Sequence, residues 1–462
     1  VLKAMASFQG ELADLAKPGV DHRGFTVYVE TYGCQMNTYD SQAITDLLGR
    51  AGFSKAATAD TADIILLNTC SVRDHAEHKV ISRVGEIRTG RRQQELPQPL
   101  IGICGCMAER LGEELRRGSH PIDLVVGVDN YDTLPDILSD LTANREPRLR
   151  TVTGHRRDQQ YVAPPALYPT NNSHLVTIHK GCDYKCTYCI VPATRGPQRE
   201  KAPEVIMAEI RGIVAAGGRE VTLLGQNVTA YHWQDELDFA ALLEQVADIE
   251  QLERIRFLTG HPRDMHTHTM ETIGALDKVC PWLHIPLQSG SDRVLKRMKR
   301  LYTTDQYLDM IATARRVIPG VTFSSDFIVG FPGETEADFQ ATLEVLRNVR
   351  YDQVFSFKYS ERPGVPAARL ADDIPVPEKK RRLALLMAAQ DEVWQEMAGA
   401  CTGEVWTGVV ETAARRPAGA MRMRTANNRK VVLTGGKPEV GQIVSARING
   451  FRSSTFLGEI VV

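Results

Sequence analysis

The chain has 462 residues, of which 43% are hydrophobic and 24% charged, with a formal net charge of -2. At about 150 residues per domain this length calls for roughly three domains. The near-zero charge excludes a chain that is basic throughout, so any surface for an acidic polymer must be local. No apolar run approaches the ~18 residues of a membrane-spanning helix.

Residues 1–23 carry acids among their apolar residues and lack a secretory apolar core, so they are predicted to be a soluble leader and the chain to be cytoplasmic. From Phe25 to about Asp140, short apolar runs alternate with helix-length amphipathic segments. "FTVYVE" (25–30), "DIILLN" (63–68), "PLIGICG" (99–105) and "DLVVG" (123–127) are predicted buried parallel strands. Between the first two, Asn37 or Thr38 is placed to cap a helix that stops at Gly52. This βαβ pattern predicts a doubly wound parallel sheet over 24–145, followed by a linker over 146–170 that includes the Pro-rich "APPALYP".

A second series starts after the linker. "LVTIHKG" (175–181), "EVTLLGQN" (220–227), "RIRFLTGH" (254–261), "WLHIPLQS" (282–289), "TFSSDFIVG" (322–330) and "QVFSFKYS" (353–360) alternate with helical segments. Six such units fall short of a complete eight-unit barrel, so 171–398 is predicted to form an open, partial (β/α)6 barrel. A long helix near 378–398 then leads to short β-rich runs over 399–462, the texture of a small β-barrel. In this last part Arg and Lys outnumber the acids, so the basic surface missing from the whole chain sits here, with Arg422, Arg424, Arg429 and Lys430 among its cations.

Nine cysteines in a chain of this kind point to metal, redox or catalytic use for those that cluster. Cys182, Cys186 and Cys189 sit on the loop after the first barrel strand, at the mouth where barrel active sites form. Three thiolates can hold three irons of a cubane cluster and leave the fourth iron open for chemistry. A zinc site with His179 as fourth ligand is the alternative. In the first domain Cys34, Cys70 and Cys106 each lie just beyond a predicted strand's C-terminal end, so the parallel sheet is expected to bring them to one edge. Cys104, two residues from Cys106, is the rival for the third place, but it still lies within the apolar strand whereas Cys106 begins the turn, so Cys106 is chosen; Cys280 and Cys401 have no companions nearby and are read as structural.

The spacing Cys182-x3-Cys186-x2-Cys189 resembles the radical S-adenosylmethionine (SAM) superfamily. Together with "YGCQMN", "NTCSVR", "GCMAER", "LLGQNVTAY", "PLQSGSDRVLKRMKR" and "IVGFPGETEADF", and with the small basic domain, it resembles the methylthiotransferase family over nearly the whole chain from Gly24. The resemblance implies two [4Fe-4S] clusters, at Cys182/Cys186/Cys189 and at Cys34/Cys70/Cys106, which together with SAM serve one active site. It also implies a C-terminal TRAM module for RNA, with Arg422, Arg424, Arg429 and Lys430 as candidate RNA contacts, a flavodoxin- or ferredoxin-like reductant and a monomer without a membrane attachment. The implied reaction adds sulfur and a methyl group at C2 of N6-dimethylallyladenosine beside the tRNA anticodon. A C–H bond without useful acidity needs radical chemistry, which belongs to the cofactor. Sibling enzymes acting on threonylcarbamoyl-adenosine or a ribosomal-protein aspartate remain alternatives, as does a zinc-containing RNA-binding protein. Gln226 and Asn227 stand where many superfamily members carry Gly-Gly-Glu, and with Gln288, Ser289 and Asp326 they are the candidate SAM contacts. Arg195 and Arg199, just after the cluster loop, are candidates for pairing with carboxylate or phosphate, and the basic run 293–300 for phosphate contacts, with solvated surface charge as the alternative for each.

Overall fold

A computed structural model describes residues 24–71, 74–117, 121–144, 150–156, 173–234 and 236–461. Two compact units are present: one is 1–167 together with Ala193–Gly196, and the other is Tyr168–Pro192 with Pro197–Val462. The expected leader and most of the expected linker lie outside the described residues.

In the first unit β1 (Thr26–Tyr32), α1 (Gln35–Arg50), β2 (Ser54–Lys55), β3 (Ile64–Thr69), α2 (Asp74–Gln93), β4 (Leu100–Gly105), α3 (Cys106–Leu111), β5 (Leu124–Val126), α4 (Leu134–Asn144) and β6 (Arg150–Val152) follow in order. The six strands form one parallel sheet in the order β2-β1-β3-β4-β5-β6. β3 is buried at every position because helices cover both faces, which is why its sequence is a continuous apolar run. The four predicted strands are present, and two short ones were not foreseen. One of these, β6, lies within 146–170, so that stretch contributes an edge strand to the sheet as well as a connection. The first helix also starts earlier than its sequence suggests: Cys34 is its N-cap and Asn37 lies one turn inside.

In the second unit β7 (Ser173–Thr177), β8 (His179–Lys180), α5 (Val191–Arg195, whose last residues belong with the first unit), β9 (Arg199–Glu200), α6 (Pro203–Ala215), β10 (Glu220–Leu224), β11 (His232–Trp233), β12 (Leu237–Asp238), α7 (Phe239–Ala247) and β13 (Arg254–Phe257) come first. They are followed by α8 (Thr267–Ala275), β14 (Trp282–His284), α9 (Asp292–Arg297), α10 (Thr304–Val317), β15 (Thr322–Val329), α11 (Glu336–Val349), β16 (Gln353–Lys358) and α12 (Val376–Ala400). The parallel triplets β7-β10-β13 and β14-β15-β16 are joined by a bridge at Ile255–Val279 and by the Gly260 amide donating to the His284 carbonyl. This is the predicted open (β/α)6 arrangement.

Alternate residues of each strand, such as Val221, Leu223, Ile255, Phe257, Phe323 and Phe327, face the helices and form the main core. The intervening residues, among them Glu220, Arg256, His284, Ser324, Asp326 and Phe355, lie on the inner face.

Beyond α12, strands β17 (Val405–Ala413), β18 (Met421–Thr425), β19 (Lys430–Thr434), β20 (Ile443–Arg452) and β21 (Thr455–Val461) close a barrel in the order β17-β18-β19-β21-β20. The turn between β18 and β19 lies against the N-terminal ends of the larger barrel's strands. Arg256 donates to the carbonyls of Thr425 and Ala426 at 2.9 and 2.8 Å, and Thr322 Oγ1 donates to Asn427 O at 2.9 Å. Arg424 pairs with Glu220 at 2.8 Å and Arg429 with Asp352 at 2.8 Å. No described helix is long and apolar enough to cross a membrane.

Candidate active site

In the first unit the three cysteines fall where the parallel sheet puts them. Cys34 follows β1 and starts α1, Cys70 follows β3, and Cys106 follows β4 and starts α3. Two buried amides lock these strand ends together. Asn37 Nδ2 donates to Asn68 Oδ1 at 3.1 Å, and Asn68 Nδ2 donates to Asn37 O and Ser41 Oγ, both at 2.9 Å. Asn37 Oδ1 in turn accepts from the Cys34 amide at 3.3 Å. Next to Cys106, Gly105 turns with φ +93°, and a Cβ there would lie 2.5 Å from both Asn68 Oδ1 and Thr69 O.

The thiols feel one another. A hydrogen bond from Cys70, aided by the nearby Arg195 cation, brings the Cys34 thiol down to about 6, while burial pushes Cys106 up. A thiol at a helix N-terminus is favoured as thiolate on general grounds as well. Cys104 points to the opposite face, inside the apolar layer with Ile64 and Leu124, and burial pushes its thiol to about 12. Arg195 belongs with this unit and pairs with Asp40 at 2.7 Å, both side chains being buried. It meets a carboxylate, one of the two partners its sequence position suggested.

In the second unit the loop carrying Cys182, Cys186 and Cys189 is stitched down around Thr187. Its amide donates to Met298 O and its hydroxyl to Arg297 O, both at 3.0 Å, and its carbonyl accepts from the Ala367 amide at 2.8 Å. A satellite apolar cluster of Ile190, Val294, Met298, Phe331 and Tyr359 supports it from below. Burial raises Cys182 to about 11 and Cys189 to about 12, with neighbouring Cys186 adding to each, so metal loading must displace protons from these two.

His179 is not gathered with these thiols. It is fully buried, its Nε2 lies 3.4 Å from the Asn227 amide that donates to it, and burial depresses it to about 4. Among the described residues no group of three or more His, Cys, Asp and Glu side chains is drawn tightly enough for a single ion. A donor set of thiols alone, spread over a short loop, is the chemistry an iron-sulfur cluster takes.

The candidate SAM contacts divide. Asn227 is 2% exposed and fully engaged: its Nδ2 donates to Asp264 at 2.5 Å and its Oδ1 accepts from the His261 amide at 2.9 Å. Ser289 is buried in a turn against Thr342 and Ser291, and Gln288 bridges to β15 through its backbone with φ +76°. Gln226 keeps a buried carbonyl oxygen without a hydrogen bond, and Asp326 stays partly exposed on the inner face, 3.6 Å from His284. Within this set Gln226 is the member with a buried side-chain oxygen left without a hydrogen bond.

Several residues near the loop were not singled out from sequence. Tyr184 stacks on His261 at 4.0 Å and donates to Asp264 at 2.7 Å, and Arg300 reaches Cys186. Arg300 is also the last residue of the basic run 293–300, a candidate for phosphate contacts, but Arg293 pairs with Asp338, Arg297 donates to Pro332 O, and Arg300 is buried. In the small barrel Arg424 and Arg429 are held in ion pairs with Glu220, Glu411 and Asp352, whereas Lys430 is exposed and Arg422 lies half-open, 3.7 Å from Glu411.

Residues 176–346 match the Radical SAM superfamily, and residues 26–127 match the family described as "Uncharacterized protein family UPF0004". Among solved structures, the radical SAM methyltransferase TsrM from Kitasatospora setae shares the fold at a TM-score of 0.55 and 12% identity, over 83% of this chain and 78% of that one. The cobalamin-dependent SAM radical enzyme OxsB aligns with a TM-score of 0.52 and 12% identity, over 80% of this chain and 56% of its own. Proteins named tRNA-2-methylthio-N(6)-dimethylallyladenosine synthase are much nearer in sequence. That of Bacteroides thetaiotaomicron is 39% identical over 94% of this chain and 96% of its own length. Those of Syntrophotalea carbinolica and Acidithiobacillus ferrooxidans are 38% and 40% identical over 94% of this chain, and 99% and 96% of their own. Identity at this level from end to end, on top of two three-cysteine sets in a doubly wound sheet and a partial barrel, places the chain in the radical SAM methylthiotransferase family.

Proposed function

We infer that the chain converts N6-dimethylallyladenosine in tRNA to its 2-methylthio derivative. The observation that carries this reading is the match, over 94% of the chain, to synthases named for that product. In this reading Cys182, Cys186 and Cys189 hold a [4Fe-4S] cluster with one iron open to SAM, and Cys34, Cys70 and Cys106 hold a second cluster that serves sulfur transfer. When bound, cluster and SAM supply a one-electron cleavage whose carbon radical removes a hydrogen that no base could take.

The chain's own residues do the positioning. Thr187 fixes the loop, Asn227 and Asp264 hold Tyr184 and His261 beside it, and Gln226 and Asp326 offer polar groups to SAM. His261 is kept neutral by burial, so it adds no charge near the cofactor. On the RNA side, the target base must leave its stack to reach a barrel interior. The small barrel's cations, exposed Lys430 and half-open Arg422 among them, supply backbone affinity. A flavodoxin- or ferredoxin-like protein supplies electrons, and the protein works as a cytoplasmic monomer.

Nucleoside mass spectrometry of tRNA tests this. A strain lacking the gene should accumulate dimethylallyladenosine, and the methylthio group should return with the wild-type gene. Restoration by a Cys182→Ala or Cys34→Ala gene would remove the ligand assignments, and persistence of the methylthio nucleoside in the deletion strain would remove the substrate. In vitro, loss of Cys34, Cys70 and Cys106 should leave SAM cleavage intact while abolishing sulfur insertion.

A further inference from the structure

One charged side chain touches a thiol of the core loop. Arg300 is 5% exposed, and its guanidinium is shared among three acceptors. Nη1 lies 3.4 Å from Cys186 Sγ, Nη2 donates to Pro286 O at 2.8 Å, and Nε donates to the Tyr302 hydroxyl at 2.8 Å. Tyr302 is itself anchored by donating to Leu287 O at 2.8 Å. The guanidinium is thus fastened to the segment following β14 and aimed at one sulfur.

The local backbone is bent to achieve this. Lys299 and Leu301, on either side, both adopt left-handed conformations with φ of 56° and 59°, unusual for residues with side chains. Leu301 is left 60% exposed while the arginine between them is buried. A chain that strains two residues, exposes a leucine and buries an arginine has inverted the usual preference. None of the acceptors of Arg300 is a carboxylate, although a buried cation ordinarily requires one.

We propose that Arg300 is a positioning residue that sets the reduction potential of the cluster held by Cys182, Cys186 and Cys189, an inference that rests on those cysteines being its ligands. Cluster potentials follow net charge, hydrogen bonds to sulfur and burial. Adding one electron makes the cluster more negative, so a fixed cation with an N–H bond to a ligand sulfur stabilises the reduced form more than the oxidised one. The electron comes from an external low-potential donor. Arg300 itself gains and loses neither proton nor bond.

The test is a redox titration of the full-length, cluster-loaded protein with dithionite. It is followed by electron paramagnetic resonance on the component whose signal changes when SAM is added. Arg300→Gln should shift that component to lower potential, and Arg300→Lys, which keeps the charge, should lie closer to wild type. Tyr302→Phe removes the acceptor that orients Nε and should shift it the same way by less, which serves if Arg300→Gln does not fold. A folded Arg300→Gln protein, or Tyr302→Phe, that melts earlier but titrates at the wild-type potential would show a purely structural role and overturn the proposal. Absence of any SAM-responsive cluster in the wild-type protein would instead overturn the ligand assignment, and the inference with it.

Discussion

Gly105 shows how much of the first three-cysteine site is decided by single atoms. Its φ of +93° and the 2.5 Å approach of Thr69 O to any added Cβ leave no room for a side chain. Gly105→Ala should therefore cost about 2–3 kcal/mol through strain and overlap. It should also displace Cys106, so that reconstituted protein binds iron at about half the wild-type level; thermal melting and iron assay check the two effects separately.

His179 makes a prediction about pH. It is buried and depressed to about 4, below its ordinary value of 6.5, so between these values the unfolded chain binds more protons than the folded one. Its contribution to stability is complete above about pH 6.5 and is lost as pH falls from there toward 4. Urea midpoints between pH 7.5 and 5 should fall for the wild type and fall less steeply for His179→Asn; parallel curves would contradict the assignment. These residues also show where sequence reading stops. The cysteines stand out because thiols are rare, but Asn37 looks like a cap and Asn68 like a strand residue. Their mutual hydrogen bonds appear only once two strands are laid side by side.

At the scale of elements, strands buried on both faces announce themselves, because uninterrupted apolar runs are what such burial demands. In the first sheet β3, β4 and β5 are legible for that reason, whereas the six barrel strands show through apolar residues at alternate positions. Two-residue and three-residue edge strands such as β2 and β6 bury too little to leave a pattern. Charge is less legible than apolarity. Arg424 and Arg429 look like surface cations in a basic domain, yet they pair with Glu220 and Asp352.

Glu220 is the pivot of that contact, with Arg424 at 2.8 Å and Arg256 at 3.2 Å. Arg256 is 1% exposed and pulls the carboxylate below its usual range, with Arg424 adding to the effect against the cost of burial. Glu220→Gln would leave two guanidinium groups poorly compensated and should cost about 3–5 kcal/mol, as breaking a buried pair does. A chemical-denaturation curve shifted by less than about 1 kcal/mol would mean that water reaches the cluster.

At the scale of the whole molecule, the formal charge of -2 means that the proposed affinity for RNA has to come from local cations. Each phosphate contact contributes about 0.7–0.9 to the slope of log affinity against log salt. Lys430→Gln should therefore reduce the slope of tRNA binding by about that amount with little change in melting temperature. Arg429→Gln should do the reverse, since its partner is Asp352; filter binding across a salt series distinguishes the two.

The turn between β18 and β19 has a consequence for the radical itself. With Arg424 on Glu220, and the turn itself on Arg256, Thr322 and Asp352, it packs against the rear of the core barrel. A carbon radical survives only where stray hydrogen donors are kept out. Deleting residues 402–462 should then do more than weaken RNA binding: it would open a second door, and SAM would be consumed without sulfur reaching the base. On this expectation the module that would hold the substrate would also guard the rear of the core barrel.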